Sequence, residues 1–201
     1  MKKIVIASGN KGKIKEIKAS LEGFNVELVS QADLSLTEAV EDGLSFVENA
    51  LIKARSASGQ SGLSAIADDS GIVVPSLDGA PGIYSARYAG ESANSQDNMD
   101  KLLSELNGVS GLQRRAYFYC ALVYVNAEKD PTPIIAEGLW EGVIAQSKTG
   151  NEGFGYDPVF FLPSLKRCAA ELSLAEKNQI SHRGLALKRF ATMYQNRYVD
   201  L

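Results

Sequence analysis

The most constraining feature of this sequence lies near its start, where the apolar run Ile4 to Ala7 passes directly into Ser8-Gly9-Asn10-Lys11-Gly12-Lys13. A short apolar run closed by a polar, glycine-bearing loop reads as a buried strand. Beyond the loop Ile14, Ile17, Ala19 and Leu21 recur at near-helical spacing, so the order is strand, tight loop, helix. Such an opening points to an α/β layer, in which the loop at a strand end is a usual place for chemistry.

The rest of the chain continues the alternation before changing character. Asn25 to Val29 reads as a second strand, followed by a polar, acidic stretch from Gln31 to Asp42. Ser45 and Glu48 have the spacing of a capping box, predicting a helix over 46–58. Leu63 to Ala67 reads as a strand that ends in Asp68-Asp69-Ser70-Gly71, with a second apolar burst at Ile72-Val73-Val74. Between positions 59 and 90 lie six of the eighteen glycines, together with Pro75 and Pro81, which makes this region rich in turns. Met99, Leu102, Leu103 and Leu106 share one face of a helix beginning at Ser95. Residues 116–125 and 134–145 are aromatic and β-branched and read as a long hairpin. A glycine-rich loop at 150–155 leads to a strand near 158–162, Ser173 and Glu176 repeat the capping-box spacing, and Ser181 heads a last helix. The expectation is one mixed α/β domain over 1–201, a mixed central sheet flanked by helices, in two lobes with the active-site cleft between them.

Composition narrows the function classes. With 201 residues, 45% hydrophobic and 22% charged, the chain has an ordinary globular make-up and enough length for a sizeable core. A formal charge of -3 argues against a nucleic-acid backbone as the main partner. Cys120, Cys168 and the lone His182 supply neither a disulfide framework nor a structural zinc site. No stretch reaches the roughly 18 apolar residues of a membrane helix, and Ile4 to Ala7 is too short for a signal peptide. The expected compartment is the cytoplasm, without a membrane partner.

Four segments carry candidate chemistry. Ser8 to Lys13 pairs close backbone approach at its glycines with the free amide hydrogens of a helix start, which suits phosphate. It does not follow the Walker pattern, because Gly9 and Gly12 are too close and Ile14 follows Lys13. Residues 1–18 hold six lysines against one glutamate, a local excess that a small polyanion fits and that a solvated helix face would also explain. Asp68-Asp69-Ser70-Gly71 offers paired carboxylates for a hard divalent cation, with Glu38, Glu41 or Asp42 available as a further ligand; the alternative is a hydrogen-bonded turn. Gly153-Phe154-Gly155-Tyr156-Asp157-Pro158 places an aromatic ring and a carboxylate in a flexible loop, able to stack a flat ligand or to anchor packing. Lys177 to Gly184 gathers polar donors, including His182 and Arg183, at a helix N-terminus where cations do not complement the dipole. No Gly-x-Ser-x-Gly elbow is present, which disfavours a serine triad.

Together these segments resemble the non-canonical purine nucleoside triphosphate pyrophosphatases, which hydrolyse inosine, deoxyinosine and xanthosine triphosphates. The resemblance rests on Ser8-Gly9-Asn10 with Lys13, Gly43-x-Ser45-Phe46-x-Glu48-Asn49-Ala50 with Lys53-Ala54, and Ala67-Asp68-Asp69-Ser70-Gly71. It continues in Pro81-Gly82-x-Tyr84-Ser85-Ala86-Arg87, Gly153 to Pro158, and Ser181-His182-Arg183-Gly184, covering nearly the whole chain. It implies that Ser8, Gly9, Asn10, Lys11, Gly12 and Lys13 bind phosphates and that Asp69 is the general base. It further implies that Asp69 and Glu41 hold Mg2+, that Ser70 touches substrate, and that Phe154, Gly155, Tyr156 and Asp157 with Lys177, His182 and Arg183 form the base pocket. A homodimer is the implied assembly. The alternatives are a pyrophosphatase for other modified nucleotides and a nucleotide-sensing module without turnover.

Overall fold

In the computed structural model, which describes residues 1–198, the opening strand and helix are β1 (Lys2–Ile6) and α1 (Lys11–Ser20). β2 (Val26–Ser30) pairs parallel with β1, Lys2 opposite Val26 and Ile6 opposite Ser30. β3 (Ser64–Val73) lies parallel on the other side of β1, with Ile4 opposite Ser64. Parallel neighbours need a crossover, and α2 (Phe46–Ser61) supplies it between β2 and β3. Its start is the predicted one: Ser45 Oγ accepts from Glu48 N, and the Glu48 carboxylate accepts from Leu44 N. It stops at Gly62, whose φ of 69° is the left-handed cap that glycine adopts without strain.

The remaining elements are α3 (Ser95–Glu105), β4 (Arg115–Val125), β5 (Ile134–Ile144), β6 (Phe160–Leu162), β7 (Arg167–Cys168), α4 (Leu174–Ile180) and α5 (His182–Tyr198). Hydrogen-bonded neighbours follow the order β2-β1-β3-β4-β5-β6-β7, with β5, β6 and β7 joined antiparallel. The mixed α/β class expected from the sequence is the class observed.

The chain divides into two compact units. The first comprises residues 1–69, 120–138 and those from 184 onward; the second comprises 70–119 and 139–183. Each has its own core. In the first, Ile4, Ile6 and Ile66 meet Ile17 and Leu21 of α1 and Ala186, Leu187 and Phe190 of α5. In the second, Ile72 and Val74 pack with Leu102 and Leu106, Phe118, Trp140 and Phe160. One buried cation ties the second unit together. Arg114 donates to the carbonyls of Leu106, Val109, Ile144 and Ala145, so its guanidinium satisfies the C-terminal end of α3 and the end of β5 at once.

Two expectations need correction. The strand expected over Leu63 to Ala67 does not end there: β3 runs unbroken through Asp68 to Gly71, which removes the turn alternative, because the strand is hydrogen-bonded to neighbours in the sheet and Gly71 keeps a φ any residue can adopt. Lys177 does not sit at a helix N-terminus but in the last turn of α4, where a cation favours the helix dipole; His182 and Arg183 do open α5.

Candidate active site

Because side chains alternate along a strand, the consecutive carboxylates of Asp68 and Asp69 leave β3 in different directions, and each meets a lysine from a different helix. Lys13 of α1 lies 2.9 Å from Asp68 Oδ2, whose side chain is wholly buried. Lys53 of α2 donates to Asp69 Oδ1 at 2.9 Å and to Glu41 Oε2 at 3.0 Å. In the sequence Lys53 stands within a motif but with no role of its own. A signal lies in its phase: α2 buries Asn49, Ala50, Ala54, Ala57 and Ser58, and Lys53, four residues from both Asn49 and Ala57, is a cation within that buried stripe.

Asp69 is held in an unusual state. Burial raises its carboxyl above the ordinary value, and the attraction of Lys53 only partly offsets that effect. Lys53 moves in the complementary sense: burial pulls its ammonium down, but Asp69, Asp68 and Glu41 outweigh burial and raise it. The second oxygen of Asp69, Oδ2, is buried with no hydrogen-bond partner among the described residues. An orphaned carboxylate oxygen of this kind is costly unless something pairs with it.

The loop preceding α1 is more preorganised than its sequence implies. Asn10 Oδ1 accepts from Gly12 N at 2.9 Å and Lys13 N at 3.1 Å, while Ser8 Oγ accepts from Asn10 N at 3.2 Å. Two amides expected to be free are thus capped from within the loop. A side chain at Gly9 would come 2.8 Å from Glu38 Oε1, so Gly9 and Glu38 pack closely. Of the acidic-loop carboxylates, Glu38 accepts from Gln31 and Glu41 meets Lys53. Lys11 begins α1, and its side chain lies outside the described ones.

A second cluster gathers the other predicted site residues. Ser70 accepts from Arg183 Nη2 at 3.0 Å. The loop Gly153 to Asp157 closes on itself: Phe154 N donates to Asp157 Oδ2 at 2.8 Å, and Gly153 takes a φ of 79° where a Cβ would fall 2.1 Å from that oxygen. Lys177 donates to the same Asp157 oxygen in an ion pair almost closed to solvent. Phe154 remains 46% exposed, with the Lys177 ammonium 4.6 Å and the Arg183 guanidinium 5.7 Å from its ring centroid. Tyr156 differs: its ring joins the core, its hydroxyl donates to Ser85 O, and burial raises its pKa. His182 is buried with its ring stacked on Phe118 at 4.7 Å.

Chemically, the first cluster offers a buried carboxylate of raised basicity beside two ammonium groups and a capped glycine loop; the second offers an exposed aromatic face rimmed by cations. The first set can hold anionic phosphate and take a proton, and the second can stack a flat ring. The Ham1 family model matches residues 4–193, and the chain belongs to the Ham1 family. It is 51% identical to the dITP/XTP pyrophosphatase of Pectobacterium atrosepticum, over 98% of this chain and 100% of that protein. It is 53% identical to the dITP/XTP pyrophosphatase of Vibrio vulnificus, over 96% of this chain and 97% of that one. A solved HAM1 protein from Coxiella burnetii superposes with a TM-score of 0.93 at 44% identity, covering 98% of this chain and all of the other.

Proposed function

We propose that this chain hydrolyses the triphosphates of non-canonical purine nucleosides, ITP, dITP and XTP, to the nucleoside monophosphate and pyrophosphate. The observation that carries the proposal is Asp69: a buried carboxylate of raised basicity, one oxygen on Lys53 and the other without a hydrogen-bond partner among the described residues.

In this reading Ser8 to Lys13 hold the substrate's phosphates, with Lys13 supplying positive charge close to Asp68. Asp69 orients a water and takes its proton as the water oxygen bonds to the α-phosphorus. The bond from that phosphorus to the bridging oxygen breaks in line, and pyrophosphate leaves. A general base so placed contributes on the order of 100- to 10,000-fold. Lys53 is suited to neutralise charge gathering beside Asp69 and Glu41.

The residues present fit Mg2+. Among the described residues no three His, Cys, Asp or Glu side chains form a metal-holding group, but Mg2+ commonly takes one or two carboxylates and completes its shell with water and substrate phosphates. Asp69, through its orphaned oxygen, and Glu41 would hold it, and when bound it would screen the phosphate charge during attack.

The purine would lie on Phe154, with Ser70, Gly155 and the Asp157 turn framing it. Donors from Lys177, His182 and Arg183 favour the 6-oxygen of hypoxanthine and xanthine and confront the 6-amino group of adenine badly. A pocket built on such hydrogen bonds discriminates by about 10,000-fold. Among the described residues no helix is long and apolar enough to cross a membrane. We place the enzyme in the cytoplasm beside the nucleotide pool, as a homodimer on the pattern of the family.

The test is a nucleotide panel with product analysis in Mg2+. Monophosphate and pyrophosphate from ITP and XTP, with little from ATP, is the expected result. Asp69→Asn is expected to retain nucleotide-dependent stabilisation while losing at least about 100-fold in rate. Diphosphate and phosphate as products would overturn the reading, and binding without turnover would leave a sensor.

A further inference from the structure

His182 is the lone histidine of the chain, and the proposed function gives it a directional task at the purine edge. An imidazole donates and accepts only in its ring plane, so whatever fixes that plane fixes what it can read. Phe118 of β4 lies face to face with it, centroids 4.7 Å apart and planes 10° from parallel. Trp140 of β5 is the next ring, stacked 6.3 Å from His182 at 18° and 6.2 Å from Phe118 at 26°. Phe160 locks these from the side, crossing Phe118 at 4.7 Å and 64° and Trp140 at 5.1 Å and 55°. All four side chains are buried. A quarter turn of the imidazole would drive its edge into the Phe118 ring, so the stack leaves one plane available.

We propose that Phe118, backed by Trp140, is a positioning residue for base selection: it holds the His182 ring in the plane from which its edge meets the 6-substituent of a purine. The inference rests on the reading of His182 as part of the base pocket. Phe118 touches no reacting atom, and the carboxylate and lysines assigned to hydrolysis belong to the other compact unit. Its loss therefore acts on discrimination before it acts on the chemical step. Displacing a positioned group by about 1 Å can cost on the order of 100-fold.

Phe118→Met keeps an apolar side chain of similar bulk and removes the flat face. Steady-state kinetics on ITP and ATP are expected to show the ratio of their kcat/KM values falling by about tenfold or more, chiefly through a higher KM for ITP, with kcat for ITP nearly unchanged. Leu102→Ala is the control: it opens the same core at a residue outside the aromatic stack and should lower the Tm while leaving the ratio intact. Should Phe118→Met fail to fold, Trp140→Phe is read in the same way. Equal loss of discrimination in Leu102→Ala, or none in Phe118→Met while His182→Ala abolishes it, overturns the proposal. If His182→Ala itself leaves the ratio unchanged, the base-pocket reading of His182 fails, and with it the role of Phe118.

Discussion

Replacing Lys177 by methionine removes one charge from an ion pair that is nearly closed to solvent. The Lys177 side chain is 8% exposed and that of Asp157 is 2%. Methionine preserves most of the stem's packing, so the main effect is to leave the Asp157 carboxylate buried with only the Phe154 amide facing the shared oxygen. Removing one member of a buried pair costs about 3–5 kcal/mol, because the abandoned charge keeps its desolvation penalty. For a chain of this size each kcal/mol moves the Tm by roughly 2–4 °C, so Lys177→Met should melt about 6–20 °C lower. Asp157→Asn should be destabilising by itself, yet adding it to Lys177→Met should recover part of the loss, since the double variant buries no unpaired charge. Urea unfolding of the four proteins at neutral pH, with m-values checked for constancy, reads the coupling, expected to exceed about 1 kcal/mol. A Lys177→Met loss below about 1 kcal/mol, together with additive single effects, would refute the reasoning, because the pair would then behave like an exposed one.

Other perturbations reach different parts of the chain. Asn10→Ala uncaps α1 and should cost about 0.5–2 kcal/mol in denaturant unfolding, with weaker nucleotide-dependent stabilisation as the loop loosens. Gly153→Ala meets both a φ of 79° and the Asp157 carboxylate, so it should raise the KM for ITP and destabilise by more than about 1 kcal/mol; unchanged kinetics would argue against a role for this turn. Glu176 is held at a pKa of about 2, below its ordinary 4.5, chiefly by Arg167 and then by Ser173. Its contribution is therefore complete above the ordinary value and is lost as pH falls towards 2. The Tm difference between wild type and Glu176→Gln should be constant near neutrality and close on acidification; a gap that widens in acid contradicts the sign.

Local signals were legible where local chemistry decides. Ser45 and Ser173 cap their helices as their spacing to Glu48 and Glu176 predicted, and β5 alternates buried and exposed residues over most of its length, as a half-buried strand should. The sequence was misleading where distant partners decide. Asp-Asp-Ser-Gly has the composition of a turn, and only the strands beside β3 keep it extended. Lys53 stands sixteen residues from Asp69, and no pattern in the chain announces that the two side chains meet. Phe118 and Trp140 lie in the two segments read as a hairpin, and their stack on His182 is a product of tertiary packing that no local pattern announces.

The unbroken course of β3 makes the site depend on a ruler with a step of one residue. Strand side chains alternate, so removing a single residue between Ser64 and Ala67 would exchange the directions of Asp68 and Asp69 relative to their neighbours in the sheet. The carboxylate meant for Lys13 would then point toward Lys53, and the one meant for Lys53 toward Lys13. Surface loops tolerate insertions, but the count of residues in this strand is itself part of the proposed catalytic apparatus.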